Sequence, residues 1–422
     1  MLVSRFMQQR LGTSSAIRQA FEKAEALKKA HGADNVFDFS IGNPSAPCPA
    51  GVRAALEDTA RKTAPELHGY MDSSGYADVR STIAASLARR FDTPYTASDI
   101  VMTTGAASAI NALMQTVLDP EDEVVAFLPC YPAYRVFVEN WGARLVEVPF
   151  DEETMLPDLA AFERALAPRT KLVIVNTPNN PSGVVYPTAA ADGIAGALFR
   201  AQREFGHPIL LLSDEPYRDL VYDGAQNPWW PAIYRNTAVV YSFSKSASIA
   251  GERIGYAALT PGMADRAALL AGVRRSLGDI GFVNAPATAQ RMAAACADET
   301  VNIAFYDRNR RMLTSALVNA GFDAVVGNGA FYLLMAAPGG NEQLLLDRLA
   351  AKRIVAVGGS DFGAPGYVRL SYCLPPEAVS RALPLFAQVA KEYGLSAQPA
   401  LATPEPAAAP VQHAPFTVLF AS

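Results

Sequence analysis

The chain has 422 residues, half of them hydrophobic and 18% charged, with a formal net charge of −5. That length exceeds what one core usually serves, so about two domains are expected, and the acidic balance argues against nucleic acid or an anionic membrane surface as partner. Cys48, Cys130, Cys296 and Cys373 show neither a CxxC pair nor zinc-ligand spacing. They read as reduced thiols of a cytoplasmic protein with no metal site. The N-terminus lacks the apolar run of a signal peptide, and no window approaches the ~18 apolar residues that span a bilayer, so no membrane is expected.

In residues 14 to 31, Ile17, Ala20, Phe21, Ala24 and Leu27 recur with helical period, and Ser14 or Ser15 is placed to cap the helix. A short strand, Val36 to Phe39, then leads into Ser40-Ile41-Gly42-Asn43-Pro44, where glycine lets backbone approach a ligand closely. His68 to Tyr76 is a Gly-rich connector between two helical segments. Asp99 to Ile110 reads as a strand, a turn at Gly105 and a helix start. Small residues there leave the first amides free, and the positive end of the helix dipole favours a phosphate.

The next strand, Glu123 to Leu128, is followed by Pro129-Cys130-Tyr131-Pro132-Ala133-Tyr134. Lys171 to Val175 leads into the turn Asn176-Thr177-Pro178-Asn179-Asn180-Pro181-Ser182-Gly183. Ile209 to Leu212 ends in Ser213-Asp214-Glu215-Pro216-Tyr217. A carboxylate at a buried strand end costs free energy unless partnered; Asp214 has either a ligand to meet or a helix at Pro216 to cap, or both.

The strand Ala238 to Tyr241 gives way to Ser242-Phe243-Ser244-Lys245, and Arg253 follows about two helical turns later. A lysine among apolar neighbours loses hydration, which favours the neutral amine and makes it a nucleophile toward a carbonyl. Two hydroxyls and a guanidinium beside it suit a phosphate. A carbonyl compound that also carries a phosphate describes pyridoxal 5′-phosphate (PLP). The stretch resembles the Schiff-base motif of class I aminotransferases, members of the aspartate-aminotransferase-fold (fold type I) family of PLP enzymes. The Asn180-Pro181-Ser182-Gly183 turn matches that family's Asn-Pro-Thr/Ser-Gly turn.

Beyond Pro286, an amphipathic helical region runs toward residue 320, and short strands follow at Gly329 to Leu334 and Tyr367 to Tyr372. This pattern reads as a smaller α+β domain. Arg369 lies on the last of these strands, with Gly363 to Gly366 just before it. From about Ser396 the composition turns to Pro and Ala without periodicity, and a mobile tail is expected.

The resemblance covers roughly residues 30 to 390. It implies an α/β fold in which a mostly parallel central sheet is flanked by helices, with a smaller α+β domain built from both chain ends. The expected division is 1–45 joining the small domain, 46–290 binding PLP, 291–395 forming the small domain, and 396–422 as tail. It implies Lys245 as the catalytic Schiff-base lysine. The phosphate would be held by the backbone of Ala106 and Ala107, by Ser242, Ser244 and Arg253, and by Tyr70 reaching across a homodimer interface into a shared site. Tyr131 would stack on the ring, Asp214 would pair with the ring nitrogen, and Asn180 and Tyr217 would reach the phenolic oxygen. Gly42, Asn180 and Arg369 would bind substrate, the arginine as a planar fork on the α-carboxylate. Gly105, Tyr131, Asn180, Asp214 and Lys245 each follow an apolar strand, the sheet edge at which open α/β folds bind ligands.

The implied function is ping-pong transfer of an amino group between an L-amino acid and a 2-oxo acid. A PLP-dependent β-lyase on the same fold is the alternative. A ligand-sensing transcription regulator would need a DNA-binding module, and the roughly 35 residues before the fold are too few for one. The substrate stays open. Where one branch of aspartate aminotransferases carries a lysine for the distal carboxylate, this chain has Ala107. The region Arg274-Arg275-Ser276-Leu277-Gly278-Asp279 matches another branch's arginine only loosely, and Asp279 would repel a second carboxylate.

Overall fold

The computed structural model describes residues 2–11, 15–62, 64–325 and 327–396. Ser14 and, from residue 397, the expected tail lie outside the described residues. In chain order, α1 (Arg5–Leu11) and α2 (Ala16–His31) precede β1 (Phe37–Asp38). The first half of the large body contains α3 (Ala50–Arg61), α4 (Ala77–Phe91), β2 (Ile100–Thr103), α5 (Ala106–Val117), β3 (Glu123–Phe127), α6 (Ala133–Glu139) and β4 (Arg144–Val148). Its second half contains α7 (Leu159–Ala165), β5 (Thr170–Val175), α8 (Thr188–Phe205), β6 (Leu210–Asp214), α9 (Trp230–Ile233), β7 (Thr237–Ser242), α10 (Phe243–Ser246) and β8 (Gly255–Leu259). Then come α11 (Arg266–Asp279), α12 (Ala287–Ala295), α13 (Ile303–Ala320), β9 (Ala324–Val325), β10 (Tyr332–Ala336), α14 (Glu342–Ala351), β11 (Ile354–Val355), β12 (Val357–Gly358), β13 (Tyr367–Ser371) and α15 (Pro376–Glu392).

The large sheet has seven strands in the order β2-β8-β7-β6-β5-β3-β4, and only β8 runs antiparallel to its neighbours. Strands β2, β6, β7 and β8 are buried on both faces, which is why they read in sequence as near-continuous apolar runs rather than alternating ones, whereas the edge strand β4 is partly exposed. Period-two alternation still sorts the side chains. On β7, Ala238 and Val240 join the core under α5 and α11, while Val239 and Tyr241 join the core under α4 and α12. Helices on both faces force the parallel strands to end at one edge, and the loops after β2, β3, β5, β6 and β7 gather there.

The smaller body holds the antiparallel sheet β12-β13-β10-β9, packed on α13 and α15. The N-terminal segment joins it: β1 pairs in parallel with β11, Phe37 opposite Ile354 and Asp38 opposite Val355. Phe39 packs edge-on against Phe386 of α15, with ring centroids 5.6 Å apart. The expectation of a domain built from both chain ends is therefore met. Helix α12 packs on α3 and α4, with Ala289, Met292 and Ala293 buried against Val52, Ile83 and Leu87. The expected boundary after residue 290 thus falls inside a helix whose buried side faces the large body.

Candidate active site

Ser242 ends β7 and caps the short α10, its Oγ accepting from the Ser244 amide at 3.3 Å. That turn projects Lys245 toward the loop after β1, where its Nζ donates to the Gly42 carbonyl at 2.5 Å. A side chain at position 42 would collide with the Tyr332 hydroxyl, so the loop approaches this closely only because the residue is glycine. Burial lowers the Lys245 amine from its ordinary 10.5 to about 8. The nearby Cys373 opposes the shift, and Arg253 and Arg369 add to it.

Gly105, at φ +80°, opens the 12-residue α5. A Cβ there would stand 2.9 Å from Arg253 Nη2, and Arg253 Nη1 lies 3.0 Å from the Ala250 carbonyl and 3.5 Å from Ser244 Oγ. Ser242 Oγ donates to Ser244 Oγ at 2.9 Å. Helix-start amides, two hydroxyls and one guanidinium thus converge, a donor set for a dianion.

Asp214, at the end of β6, accepts from the Tyr134 hydroxyl at 2.5 Å through Oδ2. Its Oδ1 is buried and has no partner among the described residues. Burial raises this carboxyl to about 7, with Tyr134 opposing and Glu215 adding. Asn176 ties two loops together: its Nδ2 donates to the Asp214 carbonyl at 2.8 Å, and its Oδ1 accepts from the Asn180 amide at 2.8 Å. Tyr131 meets Tyr134 edge-on, ring centroids 5.7 Å apart.

From the small body, Arg369 of β13 donates through Nη1 to Asn180 Oδ1 at 3.0 Å and through Nη2 to the Ser40 carbonyl. Its Nε is buried without a partner among the described residues, and the guanidinium lies 4.7 Å from the ring centres of both Tyr332 and Phe362. Tyr332 and Tyr217 share a hydroxyl–hydroxyl bond of 2.9 Å. Gly42, Tyr131, Asn176, Asn180, Asp214, Tyr217, Ser242, Ser244, Lys245, Arg253, Tyr332 and Arg369 line one cleft of about 300 Å³, at the lower end of the range for small-molecule sites.

The family description "Aminotransferase class I and II" matches residues 34–384, most of the chain. This chain belongs to that family. It is a PLP-dependent aminotransferase. Its relatives include a probable aspartate/prephenate aminotransferase of Thermus aquaticus, 31% identical over 381 residues that span 86% of this chain and 94% of that one. An aspartate/prephenate aminotransferase of Thermus thermophilus is also 31% identical, over 87% of this chain and 94% of its own. A solved aminotransferase from Eubacterium rectale superposes with a TM-score of 0.89 at 37% identity, covering 93% of this chain and 99% of the other.

Of the residues expected at the aminotransferase site, Gly42, Ala106, Ala107, Tyr131, Asn180, Asp214, Tyr217, Ser242, Ser244, Lys245, Arg253 and Arg369 share the cleft. Tyr70 does not line it; its side chain is 99% exposed. Arg274 and Arg275 are also absent from its lining: Arg274 Nε bonds the Leu270 carbonyl at 3.2 Å, and Arg275 pairs with Asp279 at 2.9 Å. Sequence reasoning missed Tyr134, Asn176 and Tyr332. Tyr134 stands three residues after Tyr131 and Asn176 four before Asn180, both inside the strand-end stretches that carry the expected site residues. Nothing local marks Tyr332, because its place is set by pairing of β10 with β13.

Proposed function

We propose that Lys245 holds the cofactor and moves the substrate α-proton, that Arg369 and Asn180 bind the α-carboxylate, and that Asp214 pairs with the cofactor ring nitrogen. When bound, PLP supplies an aldehyde for the substrate amine and a ring that draws electrons from the α-carbon. The observation that carries this reading is the Asp214 carboxylate, buried with one oxygen unpartnered at the cleft that Lys245 also lines. Such an oxygen is costly unless a ligand brings a donor, and a protonated ring nitrogen is one. The phosphate suits the amides of Ala106 and Ala107 with Ser242, Ser244 and Arg253, and the ring suits the face of Tyr131. Asn180 and Tyr217 would bond the phenolic oxygen.

Lys245, with an amine near 8, keeps a neutral fraction at neutral pH and so accepts a proton at Nζ and returns it. Its bond to the Gly42 carbonyl orients that nitrogen beside the substrate loop. Arg369 stays charged although burial lowers its pKa, and its planar fork fixes the carboxylate and hence the direction of the α C–H bond.

The working unit we propose is a homodimer in which Tyr70 serves the phosphate of the second copy. Exposed Tyr70, Phe282 and Val283 lie on two segments joined by Asn284 Nδ2 bonding the Asp72 carbonyl at 2.9 Å. We place the enzyme in the cytoplasm, in keeping with four free thiols, three of them buried. The proposed division into 1–45, 46–290 and 291–395 is best hinged just after α12, whose buried side belongs with the large body.

The deciding experiment is Lys245→Ala in the full chain with PLP added. Wild-type protein is expected to show a cofactor absorbance band that shifts when an amino acid is added without any 2-oxo acid. The variant is expected to lose at least about a thousandfold in that half-reaction. A variant that turns over at the wild-type rate would remove Lys245 from the chemistry.

A further inference from the structure

We infer that the cleft selects an amino acid, and the matching 2-oxo acid, whose side chain is uncharged and apolar, received by Ile17, Ile41 and Phe137. This rests on the aminotransferase reading of the same cleft.

The charged side chains that line the cleft, among the described residues, are Asp214, Lys245, Arg253 and Arg369. Each has a task under the proposed function and a local partner: Tyr134, the Gly42 carbonyl, Ser244 with the Ala250 carbonyl, and Asn180 with the Ser40 carbonyl. Among the described residues of one chain, no further cation lines the cleft to meet a distal carboxylate and no further acid to meet a distal amine; Arg275, in the region compared with another branch's arginine, is paired with Asp279. A charge taken out of water without such a partner is strongly disfavoured. At the head of α5, Ala106 and Ala107 offer only methyl groups.

The apolar part of the lining is built rather than incidental. Ile17 lies in the first turn of α2, and the Ala16 amide that opens the helix donates to Asp361 Oδ2 at 2.5 Å. Arg135, on the same helix as Phe137, donates to the Asp361 carbonyl at 2.6 Å. Asp361 therefore anchors both the segment that carries Ile17 and the helix that carries Phe137. Ile17 also packs with the cluster containing Phe362, whose ring lies 4.7 Å from the Arg369 guanidinium. An apolar surface thus lines the same cleft as the fork proposed to hold the α-carboxylate, and the inference seats the substrate side chain on it.

The test uses the PLP-loaded full chain. Half-reactions with phenylalanine, leucine, aspartate, glutamate and lysine are followed by cofactor absorbance, and unreactive 3-phenylpropanoate and succinate are titrated calorimetrically. Phenylalanine and leucine are expected to exceed the charged donors by about tenfold or more in kcat/KM, and 3-phenylpropanoate to bind about tenfold tighter than succinate. Ile17→Lys, at the rim of the cleft, is expected to shift the aspartate-to-phenylalanine ratio about tenfold toward aspartate. A preference for aspartate, glutamate or lysine, tighter succinate binding, or an unmoved ratio in the variant overturns the inference while leaving the aminotransferase reading intact. A cofactor band that no amino acid alters would instead sink that reading, and this inference with it.

Discussion

Arg369 Nη1 donates to Asn180 Oδ1 at 3.0 Å, and that bond links the small antiparallel sheet to the loop after β5 of the large one. The same guanidinium reaches the Ser40 carbonyl in the N-terminal segment, so three stretches far apart in sequence meet at one side chain. The two groups proposed to anchor the substrate carboxylate are thus already held together.

Arg369→Lys keeps a positive charge but loses the planar fork. Charge-assisted hydrogen bonds contribute about 1.5–3 kcal/mol each, so kcat/KM is expected to fall roughly 10²–10³-fold. The cofactor absorbance band should stay unchanged, because Arg369 is not assigned to the cofactor. Steady-state kinetics together with a spectrum of the resting enzyme check both halves. A lost band would mean that Arg369 supports the cofactor and not only the substrate.

Asp214 makes stability pH-dependent when PLP is not bound. Burial raises its carboxyl from an ordinary 3.8 to about 7, so between those values the folded chain keeps a proton that the unfolded chain has released. This contribution to stability therefore falls as pH rises through the window, and the penalty is complete above the folded pKa. Asp214→Asn removes it. The PLP-free variant is expected to melt a few degrees higher than wild type at pH 8, with a smaller difference at pH 4, and to bind PLP at least about tenfold more weakly. Parallel melting profiles for the two proteins across that range would contradict the assignment.

Asn176→Ala strips the bridge between the Asp214 carbonyl and the Asn180 amide, removing a partner from each of two buried backbone groups. The expected cost is about 2–4 kcal/mol, read as a lowered urea midpoint with the m-value unchanged. KM for the amino donor should rise as well, since Asn180 loses its support. A variant as stable as wild type would show that other groups satisfy those atoms.

Tyr70 lies 99% exposed in one chain, yet it is proposed to complete the site of another. Tyr70→Phe keeps the ring and removes one hydroxyl, so dimer mass by sedimentation should not change. PLP affinity is expected to fall about tenfold, the loss of one hydrogen bond to a charged group. A monomeric wild-type protein with full activity would rule out the shared site.

Much of this was legible along the chain because the signals are local. Continuous apolar runs announced the buried strands, and a turn residue or polar group after each run marked Gly105, Tyr131, Asn180, Asp214 and Lys245. The chemistry at each strand end is carried by the residue itself, so its type and spacing suffice. The strand read from Ile209 into the acids is β6, which ends at Asp214 with a parallel neighbour on each side. Contacts between distant segments decided the rest. Asp214 meets Tyr134 across 80 residues, Lys245 meets Gly42 across 203, and Arg369 meets Asn180 across 189. Those distances set which oxygen is left unpartnered and how far burial moves each pKa. Ile17 and Phe137 look like ordinary helix-face residues in sequence. Contacts between their segments, Asp361 bonding both, put them at the cleft, because a side chain's surroundings depend on packing between segments, which local periodicity does not encode.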